Sequence, residues 1–332
     1  MGKGQAIEYN DDFVPTVAPK VPMKRDYAPV RPDAAMEDDC RQLVRLAIRE
    51  DLDRSFDWTT VALIEPERRG TCAIVPRQAG RCAGLVTLPW ILEETEADLE
   101  ATALQADGDP LVAGQPIARL AGNARDLLTC ERLILNILCR LCGVATLTQR
   151  YVAALGDASA RLYDTRKTTP GWRRLEKYAV GCGGGHNHRT GLFDGFLIKD
   201  NHLALGGSSA GPLSPFTAAE TARQWSAGRA GREATPGIVE IEVDSLAQLS
   251  EVLPAGPDIV LLDNFSLEAL REAVALRDRE ASQVELEASG NVTIDTIATI
   301  ATTGVDRISS GALTHQAGWL DLGLDWHTGP VS

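Results

Sequence analysis

The chain has 332 residues, of which 44% are apolar and 24% charged, and its formal net charge is −13. A chain of this length can bury a substantial core in one large domain or two ordinary ones. The acidic balance argues against general nucleic-acid binding and against affinity for anionic membranes, because both need a surplus of Lys and Arg. No apolar run reaches the roughly 18 residues of a membrane-spanning helix.

The seven cysteines predict reduced thiols in the cytoplasm, because their number is odd, the chain is long and no secretion signal precedes them. Cys139 and Cys142 form a C-x-x-C pair, a spacing that zinc and redox sites also use. They lie within residues 131–152, whose apolar positions recur at helical spacing, and no second C-x-x-C follows. Buried helix cysteines are therefore the favoured interpretation.

The first half of the chain predicts a leader followed by a sheet with helices packed against one face. Residues 1–35 are rich in Pro and charge and lack periodicity, which is typical of a flexible leader. After it, helical apolar spacing and β-prone runs alternate. The helices are predicted at 36–53, 87–97 and 127–155, and the strands at 71–77, 82–88 and 116–122.

From residue 160 the sequence repeats a strand and then a helix, and the last intervals are about 20–25 residues, as in a βα barrel. Asp244, Ser266 and Thr293 are competent N-caps for the later helices. The strands are predicted at 160–167, 195–201, 237–243, 258–264, 284–290 and 307–313, and the helices at 244–253, 266–280 and 293–304.

Each predicted strand of this second half ends in a polar residue. In parallel βα folds the active site gathers at the carboxyl ends of the strands, so these side chains should meet at one mouth. Loops are polar in any case, which explains a single such residue, but six together with both lysine and acid favour a site. The six residues are Lys167, Lys199, Glu242, Asp263, Ser289 and Ser310.

Residues 161–202 form a basic island, with eight Lys or Arg against four Asp or Glu. A balance of +4 inside an acidic chain indicates a small anionic ligand. Four of the cations stand at strand ends or in glycine-rich turns, where ligand binding is the favoured interpretation: Arg166, Lys167, Arg189 and Lys199. Three others follow TTPGW on a predicted helix and are better explained as a solvated face: Arg173, Arg174 and Lys177.

Two further patterns complete the candidate site. Glu242 and Asp263 end adjacent strands, and two hard carboxylates beside a phosphate site suit Mg²⁺. A glycosidase carboxylate pair is the competing interpretation, which the basic island disfavours. Glycines 183–185 allow close backbone approach to a ligand, and the small residues at 289–291 and 309–313 offer N–H groups to a phosphate.

With these residues the sequence resembles the quinolinate phosphoribosyltransferase family, from about residue 40 to the C-terminus. The resemblance rests on DTRKTTPGWRRLEKYAV, GCGGGHNHRTGLFDGFLIKDNH, IEVDS, LLDNFS, EASGN and ISSGALTH, in that order. It implies an α/β fold with an N-terminal open α/β sandwich (residues 36–131 with 316–332) and an incomplete C-terminal α/β barrel (132–315). It also implies a homodimer with a shared active site.

The resemblance assigns roles to individual residues. It implies that Arg132 reaches into the partner's site, and that Lys167, Glu242 and Asp263 are catalytic. Glu242 and Asp263 would hold the ribose hydroxyls and Mg²⁺. Ser289, Gly290, Asn291, Ser310 and Gly311 would receive the 5′-phosphate, and the substrate carboxylates and part of the phosphoribosyl donor would be gripped by Thr165, Arg166, Lys167, His188, Arg189 and Lys199.

The implied reaction joins quinolinate to phosphoribosyl pyrophosphate and releases CO₂ and pyrophosphate, giving nicotinate mononucleotide. A related transferase acting on nicotinate without decarboxylation is an alternative, which the number of basic groups disfavours. A non-catalytic anion-binding dimer is another, which the retention of Glu242 and Asp263 disfavours. Release of CO₂ and pyrophosphate from the two substrates with Mg²⁺ would separate the three.

Overall fold

The computed structural model describes residues 26–207, 211–228 and 237–326. Its first half contains a four-stranded antiparallel sheet in the order β12-β1-β5-β3, in which the central strands β1 and β5 pair with each other. Its elements are α1 (Ala34–Leu52), α2 (Trp58–Leu63), β1 (Arg69–Pro76), β2 (Gly80–Arg81), α3 (Thr87–Glu94), β3 (Leu99–Ala103), β4 (Pro110–Leu111), β5 (Ala118–Asn123) and α4 (Ala124–Leu155).

The strand predicted at 82–88 is wrong, and β3 was not predicted. The stretch begins as a loop, in which Gly84 adopts a φ of 104° and the N–H groups of Leu85 and Val86 donate to Asp107. It then enters α3 at Thr87. A short buried apolar run looks the same in a loop, a strand or the start of a helix, so its pattern alone could not decide.

The second half is a six-stranded parallel sheet in the order β6-β11-β10-β9-β8-β7, whose edge strands β6 and β7 do not pair with each other. The predicted fold class, a sandwich followed by an incomplete barrel, is confirmed. The elements are β6 (Arg161–Tyr163), α5 (Arg173–Cys182), β7 (Phe196–Ile198), α6 (Asp200–Gly206), α7 (Pro215–Ala227), β8 (Val239–Val243), α8 (Leu246–Val252), β9 (Ile259–Asp263), α9 (Leu267–Glu280), β10 (Glu285–Ser289), α10 (Ile297–Ala301), β11 (Arg307–Ser309), α11 (Ala312–His315) and β12 (Leu322–Trp326).

The last strand returns to the first sheet, where β12 pairs antiparallel with β1. The long helix α4 runs without interruption from the end of β5 towards β6, so it crosses the predicted domain boundary at 131/132. That boundary stays a prediction. At the later helices Ser266 is the N-cap as predicted, whereas α8 begins after Ser245 and α10 after Thr296, each one to three residues later than predicted.

All seven cysteines are free and buried, including Cys139 and Cys142 on α4, as predicted for core residues of a helix. One core cluster of buried side chains runs from α1 through α4 into the barrel. Among the described residues, no helix is both long and apolar enough to cross a membrane.

The predicted flexible leader, residues 1–35, is wrong for its last ten residues. Tyr27 is 7% exposed and its hydroxyl donates to Glu240 of β8 at 2.9 Å. The N–H of Val30 donates to the side chain of Asn187, and Asp33 caps α1. Residues 1–25 of the predicted leader lie outside the described residues.

Candidate active site

The polar strand ends lie at one edge of the parallel sheet. Glu242 is within β8 and Asp263 ends β9, while Lys199 directly follows β7. Ser289 ends β10 and pairs in register with Asp263. Ser310 follows β11, and its N–H donates to the carbonyl of Tyr163 at the end of β6. The parallel topology therefore brings these residues to the carboxyl-terminal mouth of the barrel.

Arg166 and Arg189 form what we call the guanidinium pair. Burial, followed by the nearby charge of Arg189, lowers the pKa of Arg166. Arg189 is 6% exposed and donates one weak bond, of 3.3 Å, to the carbonyl of Gly195. The buried Nε atoms of both side chains have no hydrogen-bond partner, and no carboxylate of the described residues pairs with either. A buried and a partly exposed guanidinium, adjacent to each other and each with an unused buried Nε, form a site for an anion.

Lys199 forms an ion pair with Glu242, with 42% of the lysine side chain and 17% of the glutamate side chain exposed. Glu242 lies opposite Leu261 in the neighbouring strand, so Asp263 stands two residues further along β9 on the same face. Asp263 accepts from the amide of Asn264 at 2.9 Å. The two carboxylates predicted to hold Mg²⁺ thus lie on neighbouring strands, and Glu242 already forms an ion pair with Lys199.

A tight loop follows β10 at the predicted phosphate site. Gly290 has a φ of 95°, and a Cβ there would lie 2.2 Å from Oδ1 of Asn264, so only glycine fits. Asn264 and Asn291 also adopt left-handed conformations, and their side chains bond to each other at 3.1 Å. Within the described residues, the N–H groups of Gly290 and Asn291 donate no hydrogen bond. They remain available to a phosphate oxygen.

A second loop joins Lys167 to the residues after β11. A Cβ on Gly311 would lie 2.7 Å from Cδ of Lys167, so this glycine allows the lysine to pass. The N–H of Lys167 donates to the hydroxyl of Thr165 at 3.0 Å, and its carbonyl accepts from Thr314 at 2.8 Å. The hydroxyl of Ser310 donates to the carbonyl of Val292 and its N–H donates to the carbonyl of Tyr163, so both donors of Ser310 are already used within the protein.

His188 lies one layer below the mouth. Its Nε2 is 3.0 Å from Glu240 and 3.6 Å from Glu287, and its Nδ1 accepts from the N–H of Arg189 at 2.8 Å. Burial lowers the pKa of His188, but the two carboxylates outweigh burial and raise it overall. Both ring nitrogens are therefore engaged, which counts against the predicted contact of His188 with a substrate carboxylate.

His188, Glu240 and Glu287 place three possible metal ligands within 4.8 Å of one another. Glu240 also accepts from Tyr27, and Oε2 of Glu287 accepts from Nε of Arg307 at 3.0 Å, whereas Oε1 of Glu287 has no hydrogen-bond partner among the described residues. An arginine inside the cluster opposes a further cation. The cluster is therefore a network of buried ion pairs, which was not predicted from the sequence. Glu240 and Glu287 nevertheless stand two residues before the predicted site residues Glu242 and Ser289 on the same strands.

The predicted solvated face of α5 is wrong for Lys177. Its side chain is fully buried, pairs with Asp164 and donates to the carbonyl of His188 at 2.8 Å. Burial raises the pKa of Asp164 and lowers that of Lys177, and the attraction between them opposes both shifts. Asn187 donates to the same carboxylate at 2.7 Å. This pair fixes the segment that carries Arg189 against the end of β6.

We expect Lys177→Ala to lower the free energy of unfolding by about 3–5 kcal/mol, because removing one partner leaves the buried Asp164 uncompensated. Chemical denaturation followed by circular dichroism measures the loss. The matched control is Arg174→Ala, which removes a half-exposed pair with Asp39 on the same helix and should cost under about 1 kcal/mol. Equal, small losses in both variants would contradict a structural role for Lys177.

A second buried pair, between Arg140 and Glu176, supports the loop that carries Arg166 and Lys167. Arg140 donates to Glu176 at 2.6 Å and to the carbonyl of Thr314 at 2.7 Å. Glu176 accepts from the N–H and hydroxyl of Thr169, at 3.1 and 2.8 Å. Nothing in the spacing of these residues predicted the pair, because α4, α5 and α11 meet only in the folded chain.

Arg132 lies exposed on α4, and within the described ranges no residue forms a hydrogen bond or ion pair with it. It lies seven residues after Arg125, on the same face of the helix. Arg125 donates to the carbonyl of Ile64 at 2.6 Å, which places the end of α2 beside this face. The short helix α2 and its approach expose Phe56 (47%), Trp58 (70%) and Leu63 (75%).

Comparison with known proteins identifies two matching family models. Residues 57–142 match the N-terminal domain of quinolinate phosphoribosyl transferase, and residues 144–325 match its C-terminal domain. The nicotinate-nucleotide pyrophosphorylase [carboxylating] of Mycobacterium leprae is 42% identical over 291 residues, which cover 87% of this chain and 97% of that protein. The mitochondrial quinolinate phosphoribosyltransferase [decarboxylating] 2a of Nicotiana tabacum is 33% identical over 312 residues, covering 89% and 84%.

Solved structures agree with these relatives. The nicotinate-nucleotide pyrophosphorylase of Francisella tularensis superposes with a TM-score of 0.78 at 34% identity, over 91% of this chain and 100% of that one. The enzyme of the same name from Ehrlichia chaffeensis has a TM-score of 0.73 at 32% identity, over 86% and 98%. The similarity thus spans both halves of the chain.

Proposed function

The chain belongs to the quinolinate phosphoribosyl transferase family, and we propose that it transfers the phosphoribosyl group of phosphoribosyl pyrophosphate to quinolinate. The reaction releases pyrophosphate and CO₂ and gives nicotinate mononucleotide, a step in the de novo synthesis of NAD. The observation that carries the proposal is the guanidinium pair, whose buried Nε atoms have no described protein partner and which follows the carboxyl end of β6 at Arg166.

The guanidinium pair suits a dicarboxylate better than a monocarboxylate. Each guanidinium can hold one carboxylate through two parallel hydrogen bonds, and the like charges of Arg166 and Arg189 favour two separate anionic groups. Lys199 supplies a third cation at the same mouth. This arrangement favours quinolinate over nicotinate, and therefore the decarboxylating reaction.

The phosphoribosyl donor fits the remaining half of the mouth. The free N–H groups of Gly290 and Asn291 would take the 5′-phosphate, and Glu242 and Asp263 would contact the ribose. As pyrophosphate leaves C1 of the ribose, positive charge develops on the ring, and these two carboxylates stabilise it. The pyridine nitrogen of quinolinate then forms the new bond to C1, which leaves a pyridinium ring.

Loss of CO₂ follows from the pyridinium charge, which accepts the electron pair of the breaking bond between C2 and its carboxylate. Lys167 is exposed at the mouth and is held by Thr165, Thr314 and the gap at Gly311. Its ammonium would steady the departing carboxylate and the carbanion at C2, which finally takes a proton. No nucleophile of the protein is needed.

We propose Mg²⁺ as the cofactor, held by Glu242 and Asp263. Mg²⁺ prefers oxygen ligands and commonly binds one or two carboxylates together with substrate phosphates, and this pair of neighbouring, partly exposed carboxylates fits that preference. When bound, the ion would neutralise charge on the departing pyrophosphate. Glu242 is paired with Lys199, so the lysine would have to release this carboxylate for Mg²⁺ to bind it.

A homodimer with a shared active site is the assembly we propose. Its support is that Arg132 is exposed without a described partner, on the face of α4 where Arg125 contacts the end of α2, and that this short helix and its approach expose Phe56, Trp58 and Leu63. Exposed apolar side chains suit a protein interface, and an exposed arginine without a described partner suits the partner's anion site. The cytoplasm is the proposed location, because the seven buried cysteines are free thiols.

The reaction is tested by supplying quinolinate, phosphoribosyl pyrophosphate and Mg²⁺, and measuring CO₂ and pyrophosphate together. Release of the two in equal amounts is expected. Pyrophosphate release with nicotinate, without CO₂, would instead indicate the non-decarboxylating transferase. Binding of quinolinate without any turnover would indicate an anion-binding protein.

Arg189→Ala should weaken quinolinate binding by about 2–4 kcal/mol, because the substrate carboxylate loses a buried charged partner. Isothermal calorimetry measures the change. Arg174→Ala, which removes an arginine from the nearby helix α5, serves as the control and should leave the affinity unchanged. Unchanged quinolinate affinity in Arg189→Ala would show that the guanidinium pair is not the dicarboxylate site.

A further inference from the structure

Residues 26–30 fill the amino-terminal end of the barrel, opposite the mouth that holds the candidate site. Tyr27 packs with Ile238 and Ile259, which stand at the beginnings of two barrel strands. Asp26 accepts from the hydroxyl of Tyr163 at 2.6 Å and pairs with Arg161, the first residue of β6. The chain segment before α1 thus closes the bottom of the barrel.

We propose that Tyr27 is a positioning residue, which fixes His188 and, through it, Arg189 of the guanidinium pair. The ring of Tyr27 stacks on the ring of His188 with centroids 4.8 Å apart. The hydroxyl of Tyr27 donates to Glu240, the same carboxylate that His188 contacts. The stacking on Tyr27 and the contact with Glu240 together fix the orientation of the imidazole ring. This inference rests on the proposed function.

The orientation of the His188 ring affects the position of Arg189 through a hydrogen bond to the backbone. His188 Nδ1 accepts from the N–H of Arg189 at 2.8 Å, so rotation of the ring would release that N–H. Arg189 itself has few other anchors, since its guanidinium makes one bond of 3.3 Å and its Nε has none. Its placement therefore depends on the histidine before it and on the buried pair of Asp164 and Lys177.

The layer that Tyr27 completes is a network of buried ion pairs. Arg307 is fully buried, lies over the ring of Tyr163 at 3.8 Å, and pairs with Asp26 at 3.2 Å and with Glu287 at 3.0 Å. Glu240 and Glu287 each stand two residues before a residue of the mouth, Glu242 and Ser289, on the same face of their strands. Glu240, which Tyr27 contacts, therefore lies about 6–7 Å along the strand from Glu242 at the mouth.

The test compares Tyr27→Ala and Tyr27→Phe in the full chain, with steady-state KM values for each substrate and kcat. Tyr27→Ala removes the stack and the hydrogen bond, and should raise the quinolinate KM about 10-fold or more, while the KM for phosphoribosyl pyrophosphate stays within about 2-fold. Tyr27→Phe keeps the stack, and should raise the quinolinate KM by only about 2- to 3-fold. Arg31→Ala, at an exposed position of the same segment, is the control and should match the wild type.

A merely structural role predicts a different pattern. Fewer folded molecules would lower kcat and leave both KM values unchanged, and that outcome overturns the proposal. An unchanged quinolinate KM in Tyr27→Ala overturns it as well. If Tyr27→Ala does not fold, Tyr27→Phe decides, and a quinolinate KM equal to that of the wild type is then the contrary result. Failure of the proposed function itself would show as a wild-type chain that releases neither CO₂ nor pyrophosphate.

Discussion

Glu242→Ala and Asp263→Ala proteins are each expected to fold normally and to lose phosphoribosyl transfer by about 10²- to 10³-fold, the loss found when one stabilising group is removed from a transition state. Both carboxylates stand at the mouth on adjacent strands, where in the proposed reaction charge would develop on the ribose. Removing Glu242 also frees Lys199, but that pair is partly exposed, so the free energy of unfolding should fall by under about 1 kcal/mol.

The measurement is pyrophosphate release as a function of Mg²⁺ concentration, together with thermal unfolding. The variants should also depend more weakly on Mg²⁺, because one ligand is missing. Glu251→Ala, an exposed carboxylate on α8, is the control and should keep wild-type activity. Wild-type activity that survives chelation by EDTA would rule out the two-carboxylate metal site.

Arg132→Ala and Lys199→Ala proteins are each expected to be nearly inactive alone and to regain activity when mixed. If Arg132 serves the partner's site, a mixed dimer has one site with both lesions and one site with neither. Random pairing at equal ratio makes about half of the dimers mixed, which predicts about a quarter of wild-type activity per total site. The exposed position of Arg132, without a partner among the described residues, is the structural reason to expect this.

The matched control mixes Lys199→Ala with Arg189→Ala. Both residues belong to the same barrel mouth, so every site of a mixed dimer keeps one lesion and no recovery is expected. Subunit exchange is followed independently, for example by fluorescence transfer between labelled chains. If exchange is complete and the Arg132 mixture stays inactive, Arg132 serves its own subunit's site or no site.

The sequence alone predicted the fold class and most of the mouth, and the family resemblance is confirmed by both family models. The fold class and the residues of the mouth could be predicted because both depend on short, local stretches of sequence. The short β-prone runs of the barrel strands can be recognised one by one, and in a parallel sheet all their carboxyl ends share an edge. Glu242 and Asp263 follow from that rule, and Asn264 could have been added by it, since it directly follows the strand that ends in Asp263.

What lies beneath the mouth was decided only by the tertiary structure. Tyr27 and Glu240 are 213 residues apart, and Arg140 and Thr314 are 174 apart, so no spacing in the sequence connects them. Lys177 appeared to be a surface cation because charge is usually solvated. Its burial is tolerated only because Asp164, brought close by the fold, shares the same enclosed space. A buried charge needs a partner, and the identity of that partner is a property of the folded chain.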